Sequence, residues 1–415
     1  MNPLRPLSSP SYRPLFTAMT LAIFAQGAWA LYLAMQTLAL GATAASLSSV
    51  VAWSGIGLLA GSLPAGVIAD RLPKKKVLLG VLALNTLVAT LTAGLAAAGM
   101  VTFWMLGLSA FVIGAATACF FPAYTALVPL VVPPEDLMAV NGLEGATRPL
   151  IGQALAPAIV GAVIGASLPP AGGFVIAVAL AGALFATLRL PAPAVSDEPA
   201  GQAEASPLRD LLDGLAYAVR TRWIRSSVLF ATVMGLGVTG PLEVLLPTLM
   251  RASHANGAAL YGGVLAALGA GGLVGSLIAG SWRTPRRFLQ AMVGTWALGC
   301  LPLAVPAFTS NPWAIGAGLA VYGALIGVGM VIWGTVLQER VPGRMLGRVA
   351  SLDFFVSVAF MPLSIALTGI MSHYFESETL FLGAALLPLG AAITLAALGQ
   401  LNVNTAAHES REAQS

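Results

Sequence analysis

Two oppositely charged residues, Glu144 and Arg148, lie four positions apart inside a long apolar stretch. On a helix this spacing places both side chains on one face, where they can form an ion pair that offsets the cost of burying each charge. Such a pair can simply fix helix packing. Alternatively, Glu144 accepts a proton and Arg148 sets the affinity of the carboxylate for it. The sequence leaves both interpretations open.

Four further polar residues lie within apolar stretches. Glu243 follows "GLGVTGP" at 235–241, whose glycines and proline predict an interrupted helix. We interpret Glu243 either as a residue that recognises a cationic or amine-bearing substrate or as one that meets water near the outer end of its helix. Asp353 is interpreted as a packing or gate residue. Gln26 and Gln36 supply neutral hydrogen-bonding groups to a predicted cavity wall, or else hold a neighbouring helix.

The other reactive residue types form no recognisable metal or catalytic motif. The chain has 2 cysteines and 3 histidines, and none of them has the spacing of a metal site or of a disulfide framework. Glycine-rich stretches such as 269–275 lack the GK[ST] sequence of a phosphate-binding loop. We therefore predict that the protein is not an enzyme and has no metal and no cofactor.

The composition identifies the elements that must position these residues. The chain is 58% hydrophobic and 9% charged, with a mean hydropathy of +0.87, whereas a soluble domain carries about 25% charged residues. Apolar runs of at least ~18 residues, separated by short turns, predict twelve membrane-spanning helices. The predicted spans are 15–40, 46–69, 77–98, 102–130, 136–166, 172–190, 223–250, 258–282, 287–308, 312–338, 345–372 and 379–400.

The distribution of positive charge predicts the orientation. With both termini in the cytoplasm, 18 of the 20 Lys and Arg residues lie on the cytoplasmic side, while Arg251 lies outside and Arg148 within a span. This pattern predicts a multi-pass protein of the cell inner (plasma) membrane. The first apolar run is of full spanning length, so we expect no cleavable signal peptide. The basic charge is confined to loops on one face without interleaved aromatic residues, so no nucleic-acid partner is predicted.

An internal repeat divides the chain. "GSLPAG" at 61–66 recurs as "GSLIAG" at 275–280, and each copy precedes a basic loop. An offset of 209 residues aligns "VNGLE" at 140–144 with "VASLD" at 349–353, which places Glu144 on Asp353. Parallel six-helix repeats are typical of transporters whose substrate site lies near the midplane between the halves.

We therefore predict an all-α integral membrane fold of twelve transmembrane helices in two pseudo-symmetric six-helix bundles. The N-terminal bundle is residues 1–190, and the C-terminal bundle is residues 223–400. Residues 191–222 form a cytoplasmic linker, which is flexible or carries a helix on the membrane surface. Residues 401–415 form a cytoplasmic tail.

Several motifs resemble those of a known family. "GVIADRLPKKK" at 66–76 resembles the loop between helices 2 and 3 of the major facilitator superfamily, GxxxDRxGRRxx, with Pro73 in place of a glycine. The twelve predicted helices and the central linker agree with it. "PEDLMAVNGLEGATRPLIGQALAPAIVGA" and "LQERVPGRMLGRVASL" resemble the branch that contains the enterobactin exporter and macrolide efflux proteins.

The resemblance implies roles for particular residues. Gly66, Asp70 and Arg71 would belong to a conformational gate, with Asp353 as a further gate candidate. "GQALAPAIVG" at 152–161 resembles the antiporter motif of helix 5 and retains three of its characteristic residues, although Ala156 and Val160 replace glycines. The arginine of the helix 4 motif is replaced by Ala110, so no coupling role falls on that position. The three retained residues are Gly152, Pro157 and Gly161.

Together these observations predict a proton-coupled secondary active exporter that works by alternating access. Its partners would be a small amphipathic or hydrophobic substrate, such as a drug-like molecule, together with protons and the lipid bilayer, and we expect it to act as a monomer. The absence of a nucleotide-binding signature favours ion coupling over ATP. The alternatives are a dedicated exporter of a siderophore or other secondary metabolite and, in another class, a non-transporting membrane sensor or a membrane enzyme.

Overall fold

A computed structural model describes residues 4–41, 44–190, 207–253 and 257–401, and every regular element within these ranges is helical. Each of the twelve predicted spans coincides with one helix or with helical segments in series, which we number α1 to α12. They are α1 Tyr12–Ala39, α2 Ala44–Arg71, α3 Lys74–Ala97, α4 Phe103–Val131, α5 Pro134–Ala166, α6 Pro169–Leu188, α7 Arg222–Gly240 continued by Pro241–Leu245 and Leu246–Ser253, α8 Gly257–Gly280, α9 Phe288–Ala307, α10 Pro312–Arg340, α11 Gly343–Met371 and α12 Ser377–Ala397.

Eleven of these helices are long and apolar enough to cross a membrane, judged by length and composition among the described residues. The other, α2, has 28 residues, and several of its side chains lie outside the described part of the chain. A further helix, Pro207–Arg220, forms the end of the predicted linker. We call it the linker helix. Residues 191–206 and 402–415, which include most of the predicted linker and tail, lie outside the described residues.

The chain divides into two compact units. The first unit comprises Met1–Leu215 together with Ser276–Arg283 and Gly334–Phe355, so the end of α8, the last part of α10 and the first half of α11 pack with the N-terminal helices. The second unit comprises Ala216–Gly275, Thr284–Trp333 and Val356–Ser415. Each unit has its own apolar core, with Tyr32 and Phe120 in the first and Phe381 and Leu246 in the second.

Glycines bring helices into backbone contact, and the arrangement repeats. On three glycines of α2 and α4, and on three glycines of α8 and α10, a Cβ atom would overlap the backbone of the neighbouring helix, so these contacts require the absence of a side chain. The pairs join α2 to α4 in the first unit and α8 to α10 in the second, at offsets of 214 and 209 residues. The pairs are Gly57–Phe111, Gly61–Ala115 and Gly114–Ser54 in the first unit, and Gly271–Ala320, Gly275–Ala324 and Gly323–Leu268 in the second.

In the described part of the chain, two helices contain π-helical segments, each of which has a proline at its start. In α5 the α-helix Leu137–Thr147 gives way to the π-helix Arg148–Leu155 before α-helix resumes at Ala156. In α7 the π-helix is Pro241–Leu245. Proline has no N–H to donate and its ring crowds the preceding turn, so it favours such interruptions. The interruption predicted from the sequence around Pro241 is thus confirmed.

Candidate functional site

The carboxylate of Glu144 is buried in the first unit, with 6% of the residue exposed. The phenol of Tyr124 on α4 donates a hydrogen bond to Oε1 of Glu144 at 2.5 Å. The phenol of Tyr12 on α1 donates to the same oxygen at 3.4 Å. Both tyrosines are buried. We call Tyr12, Tyr124 and Glu144 the carboxylate cluster, and it connects α1, α4 and α5.

The carboxylate cluster lies toward one end of the first unit. Tyr12 is the first residue of α1, and α4 ends at Val131, seven residues after Tyr124. Helix α1 begins three residues before the predicted span 15–40, and these additional residues include Tyr12. Neither tyrosine was predicted from the sequence, because the two hydrogen bonds join residues that are 132 and 20 positions apart. The available signal was that a buried tyrosine hydroxyl usually has a hydrogen-bond partner.

Arg148 does not form the predicted ion pair. Glu144 and Arg148 both belong to the described residues, and no contact within the 4.0 Å limit of a salt bridge joins them. Instead the guanidinium of Arg148 lies over the ring of Phe121, 4.6 Å from its centroid, and the residue is exposed. The phenols of Tyr12 and Tyr124 provide the hydrogen bonds of the Glu144 carboxylate. The ring of Phe121 attracts the Arg148 guanidinium by a cation–π interaction while Arg148 stays exposed. The charge of Arg148 still interacts with that of Glu144 at longer range.

The predicted antiporter-like motif of α5 faces α1. Gly152 lies within the π-helix, and a Cβ atom on Gly27 of α1 would overlap its carbonyl group. A Cβ on Gly161 would lie 3.4 Å from a methyl group of Leu31. Pro157 is the second residue of the α-helical segment that follows the π-helix. Small residues on this face thus allow α5 to pack closely against α1.

Gln26 lines a pocket in the first unit, whereas Gln36 does not. The pocket lies among α1, α3, α4 and α6. Gln36, ten residues further along α1, is buried with 4% of the residue exposed, and its Oε1 has no hydrogen-bond partner among the described residues. The two glutamines therefore occupy different environments, although the sequence suggested one shared role.

Glu243 lies on the π-helix of α7 and is exposed in the second unit. Its charge interacts with the hydroxyl of Tyr261 on α8. An exposed carboxylate on an interrupted helix is available to a positively charged group of a ligand. This position agrees with either of the two interpretations made from the sequence.

A serine of α11 maintains the helix just before Glu243. The backbone N–H of Gly240 would ordinarily donate to the carbonyl of Leu236, four residues earlier. Here Gly240 N donates to Oγ of Ser364 at 2.9 Å, and this hydroxyl donates to the carbonyl of Leu236 at 2.7 Å. Ser364, which is fully buried, thus bonds to two backbone groups of the same helical turn and joins α7 to α11.

Replacing Ser364 with alanine is expected to destabilise the second unit. The change removes both buried hydrogen bonds of the Ser364 hydroxyl, at a cost of about 1–3 kcal/mol. The measurement is the thermal unfolding midpoint of the purified protein in detergent, which should fall by several degrees. Ser372→Ala is the control, because that hydroxyl is exposed and bonds only to the nearby carbonyl of Gly369. Equal midpoints for the two variants would mean that the bridge contributes nothing.

Of the four predicted gate residues, the structure describes the surroundings of Asp353 alone. Gly66, Asp70 and Arg71 belong to the last two turns of α2, and their surroundings lie outside the described part of the structure. Asp353 is half-buried on α11 and belongs to the first unit. Their role in gating remains a prediction.

Other residues join the two sequence halves within the first unit. Nδ2 of Asn141 on α5 donates a hydrogen bond to Oε1 of Gln338 on α10 at 2.7 Å. Next to it, a Cβ atom on Gly142 would lie 2.5 Å from Cα of Gly280 on α8. We call these four residues the helix-end contact. Gly280 is the last residue of the repeated hexapeptide, and this was the sequence signal for the contact, whereas no signal marked Asn141 or Gln338.

Comparison with known proteins places this arrangement in a family. The pattern of the Major Facilitator Superfamily matches residues 15–359. The chain belongs to the major facilitator superfamily. This membership confirms the family predicted from the sequence motifs and the fold of two six-helix halves. The protein is thus a multi-pass membrane transporter of small molecules and not an enzyme.

Individual relatives are moderately similar. The chain is 30% identical over 289 residues to the MFS-type transporter y4rN of Sinorhizobium fredii, covering 67% of this chain and 66%, just under two thirds, of that one. It is 28% identical over 372 residues to the enterobactin exporter EntS of Citrobacter koseri, covering 87% and 85% of the two chains. The enterobactin exporter EntS of Escherichia coli O1:K1 is also 28% identical, over 369 residues.

Solved structures share the fold. The crystal structure of a bacterial homologue of the iron transporter ferroportin, in an outward-facing state, superposes with a TM-score of 0.72 at 18% identity, covering 92% of this chain and 97% of that one. The E. coli fucose:proton symporter FucP gives a TM-score of 0.67 at 14% identity, covering 91% and 97%. At these identities the likeness concerns the fold alone.

Proposed function

We propose that the protein is a proton-coupled secondary active exporter of amphipathic small molecules that works by alternating access. The observation that supports this best is the carboxylate cluster. An ionisable side chain inside a membrane costs about 2.5–3.5 kcal/mol at the helix centre on insertion scales, and such residues commonly belong to proton pathways. Glu144 is buried, is held by hydroxyl groups and has no ion-pair partner among the described residues.

The two tyrosines suit a carboxyl group that changes its protonation state. A phenol can donate a hydrogen bond to a carboxylate, and it can accept one from a protonated carboxyl group. Tyr12 and Tyr124 can therefore accommodate Glu144 with or without its proton. A lysine or arginine in their place would favour the ionised form alone.

Arg148 is proposed to adjust this equilibrium from a distance. Its charge interacts with Glu144 while its guanidinium rests on Phe121. The electrostatic energy of an ionised carboxylate depends on its separation from a nearby cation. A rearrangement within α5, at the junction of its α-helical and π-helical segments, that changes this separation would therefore bind or release a proton. We propose this as the link between transport and the proton gradient.

The substrate is proposed to be amphipathic. Few charged groups face the interior of the described helices, which favours apolar ligands that carry a small number of polar groups. Glu243, exposed on the interrupted α7, supports recognition of a cationic or amine-bearing group. We propose further that both termini face the cytoplasm at the inner membrane, from the charge distribution, and that the protein acts as a monomer.

A dedicated siderophore exporter is a second candidate. It is supported by the similarity to enterobactin exporters at 28% identity over 87% of this chain. Efflux of chemically diverse dyes and drugs from a pump-deficient host would favour the first candidate. Efflux restricted to one siderophore, with no effect on the dyes, would favour the second.

Transport by inside-out membrane vesicles tests proton coupling. An acidic vesicle interior should drive accumulation of a fluorescent amphipathic dye, because protons leave as the dye enters. A protonophore should abolish the accumulation, and vesicles without the protein provide the baseline. Accumulation that requires a sodium gradient and persists with the protonophore would contradict proton coupling.

A further inference from the structure

The pocket that Gln26 lines is uncharged and partly aromatic. It lies wholly within the first unit. None of the described residues that line it is charged. Aliphatic residues of α3, α4 and α6 form most of its remaining wall. Its polar and aromatic lining residues are Gln26, Trp29, Asn85, Thr117, Phe120 and Phe121.

Two buried polar atoms of this lining have no partner. Nε1 of Trp29 on α1 is a hydrogen-bond donor, and Oδ1 of Asn85 on α3 is an acceptor. Neither atom has a hydrogen-bond partner among the described residues, and each of the two residues is 5% exposed. The amide nitrogen of Asn85 donates to Oγ1 of Thr117 at 3.4 Å, which leaves the oxygen free. Unpaired buried polar groups are rare in proteins, and they indicate a ligand or ordered water.

We propose that this pocket binds a flat, neutral aromatic group that carries a hydroxyl, such as a phenol. A hydroxyl group both accepts and donates, so it can complement the Trp29 N–H and the Asn85 oxygen. The rings of Phe120 and Phe121 provide apolar contact for a flat ring. The uncharged lining disfavours a carboxylate or an ammonium group, because neither would have a counter-ion there.

The pocket narrows the proposed substrates from amphipathic molecules in general to neutral aromatic alcohols. That the pocket takes part in transport rests on the proposed exporter function. Water could satisfy the two unpaired atoms without filling the apolar part of the pocket. A hydrocarbon could fill the apolar part without pairing the polar atoms. A phenol does both, and this difference makes the proposal testable with matched probes.

The test compares 2-naphthol with its O-methyl ether, 2-methoxynaphthalene. Radiolabelled probe binds to the full-length protein in nanodiscs, and binding to empty nanodiscs is subtracted. Both probes can accept a hydrogen bond from Trp29, but only 2-naphthol can donate to Asn85. We expect the wild type to bind 2-naphthol about tenfold more tightly than the ether, which is 1.4 kcal/mol.

Two variants separate the contributions of the two atoms. Asn85→Leu should abolish the preference for 2-naphthol, because it removes the acceptor. Trp29→Phe should weaken the binding of both probes, because it removes the N–H that donates to the oxygen of each probe. Trp313→Phe, at an exposed position on α10, is the control and should behave as the wild type. Thermal unfolding of each variant checks that it remains folded.

Equal binding of the two probes by the wild type would overturn the proposal, as would a preference for 2-naphthol that survives in Asn85→Leu. The first result would mean that water or hydrocarbon occupies the pocket. Because binding is measured without any gradient, the outcome is independent of transport. Binding as expected without accumulation in vesicles would uphold the pocket and reject the exporter, whereas accumulation without selective binding would do the reverse.

Discussion

Glu144→Gln is expected to abolish accumulation against a gradient while substrate exchange continues. Glutamine keeps the size of the side chain and can still accept hydrogen bonds from Tyr12 and Tyr124, but it cannot bind and release a proton. Accumulation in inside-out vesicles should therefore fall by at least an order of magnitude. Exchange of labelled for unlabelled substrate, with no gradient imposed, should stay near the wild-type rate.

Glu378→Gln is the control for this change, since Glu378 is an exposed carboxylate in the first turn of α12. It should leave both accumulation and exchange unaltered. Normal accumulation by Glu144→Gln would place the proton site elsewhere, with Glu243 and Asp353 as the next residues to test. Loss of both activities would indicate that Glu144 serves folding or substrate binding instead of coupling.

Gly280→Val is expected to reduce transport by about an order of magnitude through the helix-end contact. A Cβ atom on Gly280 would lie 2.9 Å from Cα of Gly142, which is closer than real Cβ contacts allow. The valine therefore forces α8 away from α5 and stretches the neighbouring hydrogen bond between Asn141 and Gln338. Overpacking of this kind typically costs about 1–3 kcal/mol. The measurements are the initial rate of dye transport and the reactivity of a cysteine introduced at Ala139, which is buried beside Gly280 and leaves the Asn141–Gln338 bond in place.

The matched control is Gly294→Val on α9, where a Cβ atom would meet nothing within 4 Å. It makes the same substitution in a helix of the same protein without the steric conflict. Gly280→Val should raise the labelling rate at position 139 as well as slow transport. A wild-type transport rate in Gly280→Val would mean that closure of this contact is not part of the cycle.

The helices and their interruptions were predictable from local patterns. Apolar runs of spanning length determine where helices form, and Pro241 with its neighbouring glycines determines where α7 changes to a π-helix. Helix ends were less predictable, because the first turn of α1 is polar in part and extends beyond the apolar run to Tyr12. The membrane-spanning core is thus encoded locally, whereas the ends depend on tertiary contacts.

The chemistry of the carboxylate cluster was only partly predictable. Glu144 was identified because a carboxylate in an apolar stretch is costly. Its pairing with Arg148 was predicted from a spacing of four, but this spacing fixes a shared helix face and not a contact. The partners that hold Glu144 come from α1 and α4, and a single sequence contains no signal that relates Tyr12 or Tyr124 to it.

The repeated glycine pairs have a consequence for how the two copies of the ancestral unit diverged. At the offset of 209 residues that relates α4 to α10, Tyr124 corresponds to Trp333 and Glu144 to Asp353. An indole can donate but cannot accept a hydrogen bond, so a tryptophan cannot replace the Tyr124 phenol as an acceptor for a protonated acid. The glycine contacts between the helices are thus the same in both copies, whereas the side chains at the positions of Tyr124 and Glu144 differ. Under the role proposed for Glu144, a chimera that joins two first copies would carry two proton-binding carboxylates, and we expect it to move more protons per substrate molecule than the wild type.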